Sequence, residues 1–362
     1  MSDRLDCVST MTPSVSGASR APSGPVATGY AIRELALIRA IRARAGLGSG
    51  VRVGIGDDCA VLEPTPGAPL LATTDLLIED IHFRRTYATP ADIGWKAFAV
   101  NLSDIASMGG RPRWALVALA CPGTTEVSEV EAFYAAAWTL ADEHQVAVVG
   151  GDTSASPNGW IVNVTLLGEA LHPPLLRSTA RVGDVVAVTG PLGRSAAGLA
   201  MLSASAPPSG LEPGDVDDVT GAHLRPVPRV REGQWLAAAG GVTAMIDLSD
   251  GLVTDLAHLA EESAVGARIN LARLPLSASV RRVATACGGD PLAWATSGGE
   301  DYELLFTCGA AAWERLARGL TGVTGRLPHA IGEIVDAAQG TTFLDPDGHP
   351  VALAPGFEHF SR

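Results

Sequence analysis

RSTARVGDVVAVTGPLGRSAAGLAML, residues 177–202, is the stretch on which the reading of the fold turns. Its first part, Arg177 to Asp184, is polar and turn-like. VVAVTG then reads as a strand, PLG as a turn and RSAAGLAML as a helix. A strand and helix opening after a polar link mark the start of a second domain, so the chain divides into 29–172 and 173–362. Upstream, helical spacing runs from Tyr30 to Ile41 and ends at Gly46 to Gly50. Strands are predicted at Val51–Ile55, Leu70–Thr74, Trp114–Ala120, Val146–Val149 and Trp160–Leu167, with helices near Trp95–Met108 and Val127–His144. Downstream, strands are predicted at Val242–Ile246, Ala267–Leu271, Tyr302–Thr307 and Ala330–Val335. Residues 204–219, rich in Pro, Ser, Gly and Asp, read as a surface loop. Residues 1–28 lack periodicity and read as a disordered tail.

The 362 residues, 47% hydrophobic and 18% charged, exclude a disulfide scaffold and bulk disorder. A formal net charge of -13 opposes nucleic-acid backbones and anionic membranes, so neither is expected as a partner. Lys96 is the single lysine, which leaves no P-loop lysine and no Schiff-base motif. Five cysteines without a C-x-x-C pair, no apolar leader and no long uncharged apolar run point to a cytoplasmic protein.

The placement of the acids carries the chemistry. GIGDD ends at Asp58, ATTD at Asp75, NLSD at Asp104 and GGD at Asp152; DLSD holds Asp247 and Asp250, and SGGED holds Glu300 and Asp301. Taken singly, each is also an ordinary turn or helix-cap residue. Together with the hydroxyls of Thr73, Thr74, Ser103 and Ser249 they form the hard-oxygen set that Mg²⁺ prefers, with no His or Cys cluster for zinc. Mg²⁺ takes only one or two carboxylates per ion, so this many acids suggests several ions bridging a polyphosphate. No Walker, kinase or G-x-G-x-x-G signature is present. Arginines and the helix start at GPLGRSAAG are alternative phosphate holders, although that segment also reads as a plain connection.

The motifs GIGDDCAVL, TTDLLIEDIHF, WKAFAVNLSDIASMGGRP, GGDT, RSTARVGD, HLRPVPR, IDLSDGLVTDL and SGGEDYELLFT, in this order, resemble the thiamine-monophosphate kinase family. That family belongs to the superfamily typified by aminoimidazole ribonucleotide synthetase. The resemblance implies an N-terminal α+β domain whose sheet pairs with that of a second copy in a homodimer, followed by a C-terminal α/β domain. It also implies γ-phosphoryl transfer from ATP to thiamine monophosphate with several Mg²⁺ ions; a K⁺ requirement stays open. The metal ligands it implies are Asp58, Thr73, Thr74, Asp75, Asp104, Asp152, Asp247 and Asp250, with Asp58, Asp104, Asp152 and Asp247 central to catalysis. Nucleotide contacts fall on Gly151, Asp152, Arg177 and Ser249, and substrate contacts on His82, Glu300 and Phe357. By themselves His82 reads as a packed or surface histidine, Phe357 as a core anchor and Arg177 as a linker arginine. Other functions the acids could serve are another ATP-dependent synthetase of the superfamily, a metal-dependent phosphohydrolase and a non-catalytic nucleotide sensor.

Overall fold

The computed structural model describes residues 34–45, 48–204 and 208–359; the expected tail, 1–28, lies outside them. Helix α1 (Glu34–Ala45) and the short pair β1 (Val51–Val53) and β2 (Val61–Leu62) precede a four-stranded sheet. That sheet is built from β3 (Leu70–Ile78), β4 (Arg111–Cys121), β5 (Ala147–Ala155) and β6 (Ile161–Glu169), in the order β3-β6-β4-β5. Pairing is antiparallel except between β4 and β5. Strand β3 runs four residues past its predicted end. Along it Leu71, Thr73, Asp75 and Leu77 are the less exposed residues and Leu70, Ala72, Thr74 and Leu76 the more exposed, the period-2 mark of a sheet covered on one face.

Helices α2 (Pro90–Ser107) and α3 (Val127–Glu143) pack together in this half. Helix α2 begins earlier than the predicted Trp95 because Thr89 and Asp92 form a capping box and Pro90 occupies the first turn. Thirteen of its 18 residues are buried, as expected for a helix enclosed on all sides. Gly94 makes this possible, since a Cβ there would lie 2.1 Å from the Phe133 carbonyl oxygen of α3.

The C-terminal half carries β7 (Asp184–Val188), α4 (Arg194–Leu202), α5 (Pro213–Leu224), α6 (Val230–Ala239), β8 (Val242–Asp247), α7 (Leu252–Glu262) and β9 (Gly266–Asn270). It continues with α8 (Ala278–Cys287), α9 (Pro291–Ser297), β10 (Leu304–Gly309), α10 (Ala310–Thr324), β11 (His329–Val335), β12 (Thr341–Leu344) and β13 (Pro350–Val351). The strands form a mixed sheet, β13-β12-β9-β11-β7-β10-β8, in which only β9 and β12 run parallel. Residues 204–219 are not all loop: Pro213 starts α5, and Asp215 in its first turn is held by the Arg282 guanidinium of α8. That partner lies 67 residues away, so local composition does not reveal the helix. Strand β10 starts two residues after the predicted Tyr302, which adopts a positive φ of 49°.

One core runs from Val117, Val164 and Leu166 of the first sheet through Phe98 and Leu102 of α2 to Met245, Phe306 and Leu316 of the second half. A second core, including Val186, Ile246, Leu256 and Leu305, lies between the other face of the larger sheet and α7. Among the described residues no helix is long and apolar enough to cross a membrane.

Candidate functional site

Helix α2 presents Lys96 and Ser103 seven residues apart, on one face and about 10 Å apart along the axis. Both reach the C-terminal half. Ser103 Oγ donates to Asp247 Oδ2 at 2.6 Å, and Lys96 Nζ pairs with Glu300 Oε1 at 2.7 Å. The helix therefore organises two ends of a site at the junction between the halves.

At the Ser103 end, Thr73 of β3 donates to Asp104 of α2, and Asp75 lies on the same face of β3 as Thr73. Burial, reinforced by the charge of Asp104, pushes the Asp75 carboxyl up to about 7. Burial and Asp104 together raise Asp247 well above the usual carboxylate range. Burial also raises Asp104, against the opposing effects of the Thr73 hydroxyl and the Arg177 guanidinium. Asp75 Oδ2 is buried with no hydrogen-bond partner. Three interacting carboxylates and an orphaned oxygen are unfavourable without a cation, so the donor set fits Mg²⁺. Asp104, Thr73 and Arg177 also line a cleft of about 320 Å³.

Asp58 and Asp152 are not part of this group. Both are exposed, and with Gly151, Asn163 and Thr165 they line a cleft of about 780 Å³ at the first sheet. No hydrogen bond or ion pair joins them to Asp104 or Asp247. Thr74 faces this side: its Oγ1 lies 3.0 Å from Thr165 Oγ1 and accepts from Asn163 Nδ2 at 2.9 Å. Seven of the expected metal ligands thus fall into two groups, Thr73, Asp75, Asp104 and Asp247 in one and Asp58, Thr74 and Asp152 in the other, while Asp250 lies apart from both, under the influence of His258 and His359. Gly151 has a packing reason to be glycine, because a Cβ would lie 1.9 Å from the Val117 carbonyl oxygen.

At the Lys96 end, Glu300 sits in a left-handed conformation, φ 57°, and contacts both Lys96 and, at 3.2 Å, His223 Nδ1. Burial opposes ionisation, but Lys96 and then His223 outweigh it and hold the carboxyl at about 2. The His82 ring lies 5.2 Å from that of His359, which lies 4.7 Å from Phe357. Phe357 is exposed rather than a core anchor, and its N–H donates to the Asp250 carbonyl. All three expected substrate residues therefore lie in one neighbourhood, since Glu300 also acts electrostatically on His82. Ser249 touches it through its backbone carbonyl, which accepts from Glu300 N–H.

The helix start in GPLGRSAAG is not an open phosphate cradle. Asp301 accepts from the backbone N–H groups of Gly193 and Ser195, occupying the donors that α4 would offer an anion. Asp255 does the same for the turn of DLSDG, accepting from Asp250 and Gly251 N–H. Sequence reasoning passed over His223, His359 and Asp255, considered Lys96 only as a P-loop or Schiff-base lysine, and counted Asp301 among the metal-binding acids, whereas it caps α4. Asp255 alone carried a local signal, as an acid in the first turn of a helix after Gly251.

The sequence patterns of AIR synthase related protein match twice, the N-terminal domain over residues 56–170 and the C-terminal domain over residues 181–345. The chain is 36% identical over 330 residues to the thiamine-monophosphate kinase of Bacillus subtilis (strain 168), covering 90% of this chain and 99% of that one. It is 39% identical over 321 residues to that of Escherichia coli (strain K12), covering 86% and 93% respectively. A crystal structure of thiamine-monophosphate kinase from Stenotrophomonas maltophilia K279a superposes with a TM-score of 0.78 at 37% identity, over 89% of this chain and 98% of that one. The structure of AaThiL complexed with AMPPCP and TMP gives 0.72 at 35% identity, over 92% and 100%. The chain belongs to the AIR synthase related family and, within it, to the thiamine-monophosphate kinases. It is accordingly a phosphotransferase with the two-domain fold of that family.

Proposed function

We propose that the protein transfers the γ-phosphoryl group of ATP directly to the phosphate of thiamine monophosphate, giving thiamine diphosphate and ADP. The observation that carries this reading is the gathering of Asp75, Asp104 and Asp247 from both halves of the chain around an orphaned carboxylate oxygen. The similarity to AaThiL, solved with AMPPCP and TMP, supports the substrate pair.

The nucleophile is a phosphate oxygen. A phosphomonoester has a second pKa near ~6, so it is largely dianionic at neutral pH and needs no general base. The obstacle is repulsion, about 4 kcal/mol for two unit charges 4 Å apart at an effective dielectric constant of ~20, and more for two dianions. Mg²⁺ held by Asp75, Asp104 and Asp247, and by Asp58, Asp152 and Asp250, would neutralise both phosphates and the charge of the transition state. Thr73 and Ser103 fix the orientations of Asp104 and Asp247 by donating to them. Arg177, exposed beside Asp104, offers a planar guanidinium to the nucleotide phosphates, and Gly151, Asp152 and Ser249 complete that side. His82, Glu300 and Phe357 hold the thiamine rings, with the exposed Phe357 stacking on a flat cationic heterocycle.

Residues 29–172 and 173–362 act as the two domains, and the protein works as a homodimer. Leu70, Leu76 and Leu116 stand exposed on the face of the first sheet opposite α2 and supply an apolar surface for a second copy. The described cysteines are free thiols, which suits the cytoplasm. The test of the activity is a mass balance of ATP, Mg²⁺ and thiamine monophosphate. Thiamine diphosphate should form in step with ADP. ADP and free phosphate without thiamine monophosphate would instead identify a phosphohydrolase.

A further inference from the structure

Among all the Lys and Arg residues of the chain, Lys96 alone is lysine, and its side chain is only 4% exposed. A buried ammonium is costly unless its donors are used. Here Nζ meets Glu300 Oε1 at 2.7 Å and the His82 carbonyl oxygen at 3.4 Å. These two acceptors belong to the two segments that bring side chains to the ring subsite from opposite halves of the chain. His82 follows β3, and Glu300 lies in the loop between α9 and β10. A compact tetrahedral donor can serve a carboxylate and a carbonyl arriving from different directions; a planar guanidinium fork matches a single carboxylate better.

The surroundings of Glu300 show that its position needs support. Its φ of 57° is unfavourable for a residue with a Cβ, and Tyr302 two residues on is similarly strained. Beyond Lys96, the support is His223 of α5, 4% exposed, whose Nδ1 lies 3.2 Å from Glu300 Oε2 and 3.0 Å from Ser195 Oγ. Lys96 thus holds one oxygen of Glu300 while His223 holds the other. The Glu300 side chain keeps an exposure of 28%.

We propose that Lys96 is a positioning residue for the thiamine end of the site: it clamps Glu300 and the His82 backbone so that both face the heterocycle. This rests on the thiamine-monophosphate kinase reading. It adds a specificity role for a residue outside the expected ligand set, one whose polar contacts run to Glu300 and the His82 carbonyl.

The test is steady-state kinetics of the full-length chain with thiamine monophosphate and ATP varied separately, alongside circular dichroism and thermal melting. Lys96→Met should raise the KM for thiamine monophosphate about tenfold or more and leave the ATP KM within about twofold. Glu300→Gln should do the same. In the double variant, Lys96→Met should add no more than about threefold to the effect of Glu300→Gln, because the two share the 2.7 Å ion pair and only the longer 3.4 Å contact to the His82 carbonyl is left to lose. Multiplying losses, equal effects on both substrates or an unchanged KM in folded Lys96→Met would overturn the proposal. Should Lys96→Met fail to fold, Lys96→Arg keeps the charge and displaces the carboxylate. It should raise the same KM selectively, and no rise would overturn the role. A wild-type protein without thiamine-monophosphate-dependent ADP formation sinks the functional reading itself. Wild-type turnover with an unaffected Lys96→Met sinks only the inference.

Discussion

Ser103 Oγ and Asp247 Oδ2 meet at 2.6 Å, so a hydroxyl of the N-terminal half orients an acid at the end of β8 in the C-terminal half. The contact is buried, and Asp247 acts electrostatically on the same centre as Asp75 and Asp104. A site assembled this way trades stability for function, because burial and like charge both oppose ionisation of its acids.

Asp104→Asn is expected to lower kcat by about 100-fold or more while raising the melting temperature of the metal-free protein by roughly 2 °C, since a buried repulsion is removed. Calorimetry in chelator and an ADP-release assay measure the two effects. A less stable variant with near-normal turnover would contradict the assignment.

Added Mg²⁺ should stabilise the wild type, by about 2.7 kcal/mol at a concentration 100 times its Kd, and chelation should abolish turnover. The Asp247→Asn variant should lose most of this gain. A melting temperature indifferent to Mg²⁺ in the wild type would argue against metal at these acids.

Glu169 is fully buried and accepts from Thr65 N–H and from the Arg111 and Arg113 guanidiniums. Burial opposes its ionisation, yet these donors bring the carboxyl down to about 2. A depressed pKa contributes stability that is present above the unfolded value near ~4.3 and lost as pH falls towards 2. Glu169→Gln should destabilise the protein by roughly 3 kcal/mol at pH 7 and flatten the loss between about pH 4 and pH 2. Urea unfolding across that range checks both, and an unchanged acid limb would refute the ion-pair account.

Leu76→Asp places a charge on the exposed leucine face, on the edge strand β3. The wild type should run as a dimer in light scattering and the variant as a monomer at micromolar concentration. A monomeric wild type would remove the proposed interface.

Much of this architecture can be read locally. RSAAGLAML is helix α4 from Arg194 to Leu202, and the span from Trp95 to Met108 lies almost wholly within α2. Of the three grouped acids only Asp247 ends its element, β8; Asp75 lies inside β3 and Asp104 inside the last turn of α2, so their meeting is set by the packing of α2 and not by segment ends. What escaped is tertiary. Lys96 and Glu300 are partners only through the packing of α2, and α5 was hidden because its anchor is Arg282 of α8. Asp301 carried no mark to distinguish a helix cap from a ligand. Asp152 of β5 and Asp58, between β1 and β2, stand beside Asn163 and Thr165 on the side that Thr74 faces, whereas Thr73 and Asp75 face the other way, towards Asp104.

The most direct measurement is the product balance of the purified chain with ATP, Mg²⁺ and thiamine monophosphate, followed by chromatography and phosphorus NMR. Equal amounts of thiamine diphosphate and ADP, with no free phosphate and no ADP when thiamine monophosphate is omitted, are predicted. Free phosphate matching the ADP, with the thiamine ester left intact, would contradict it.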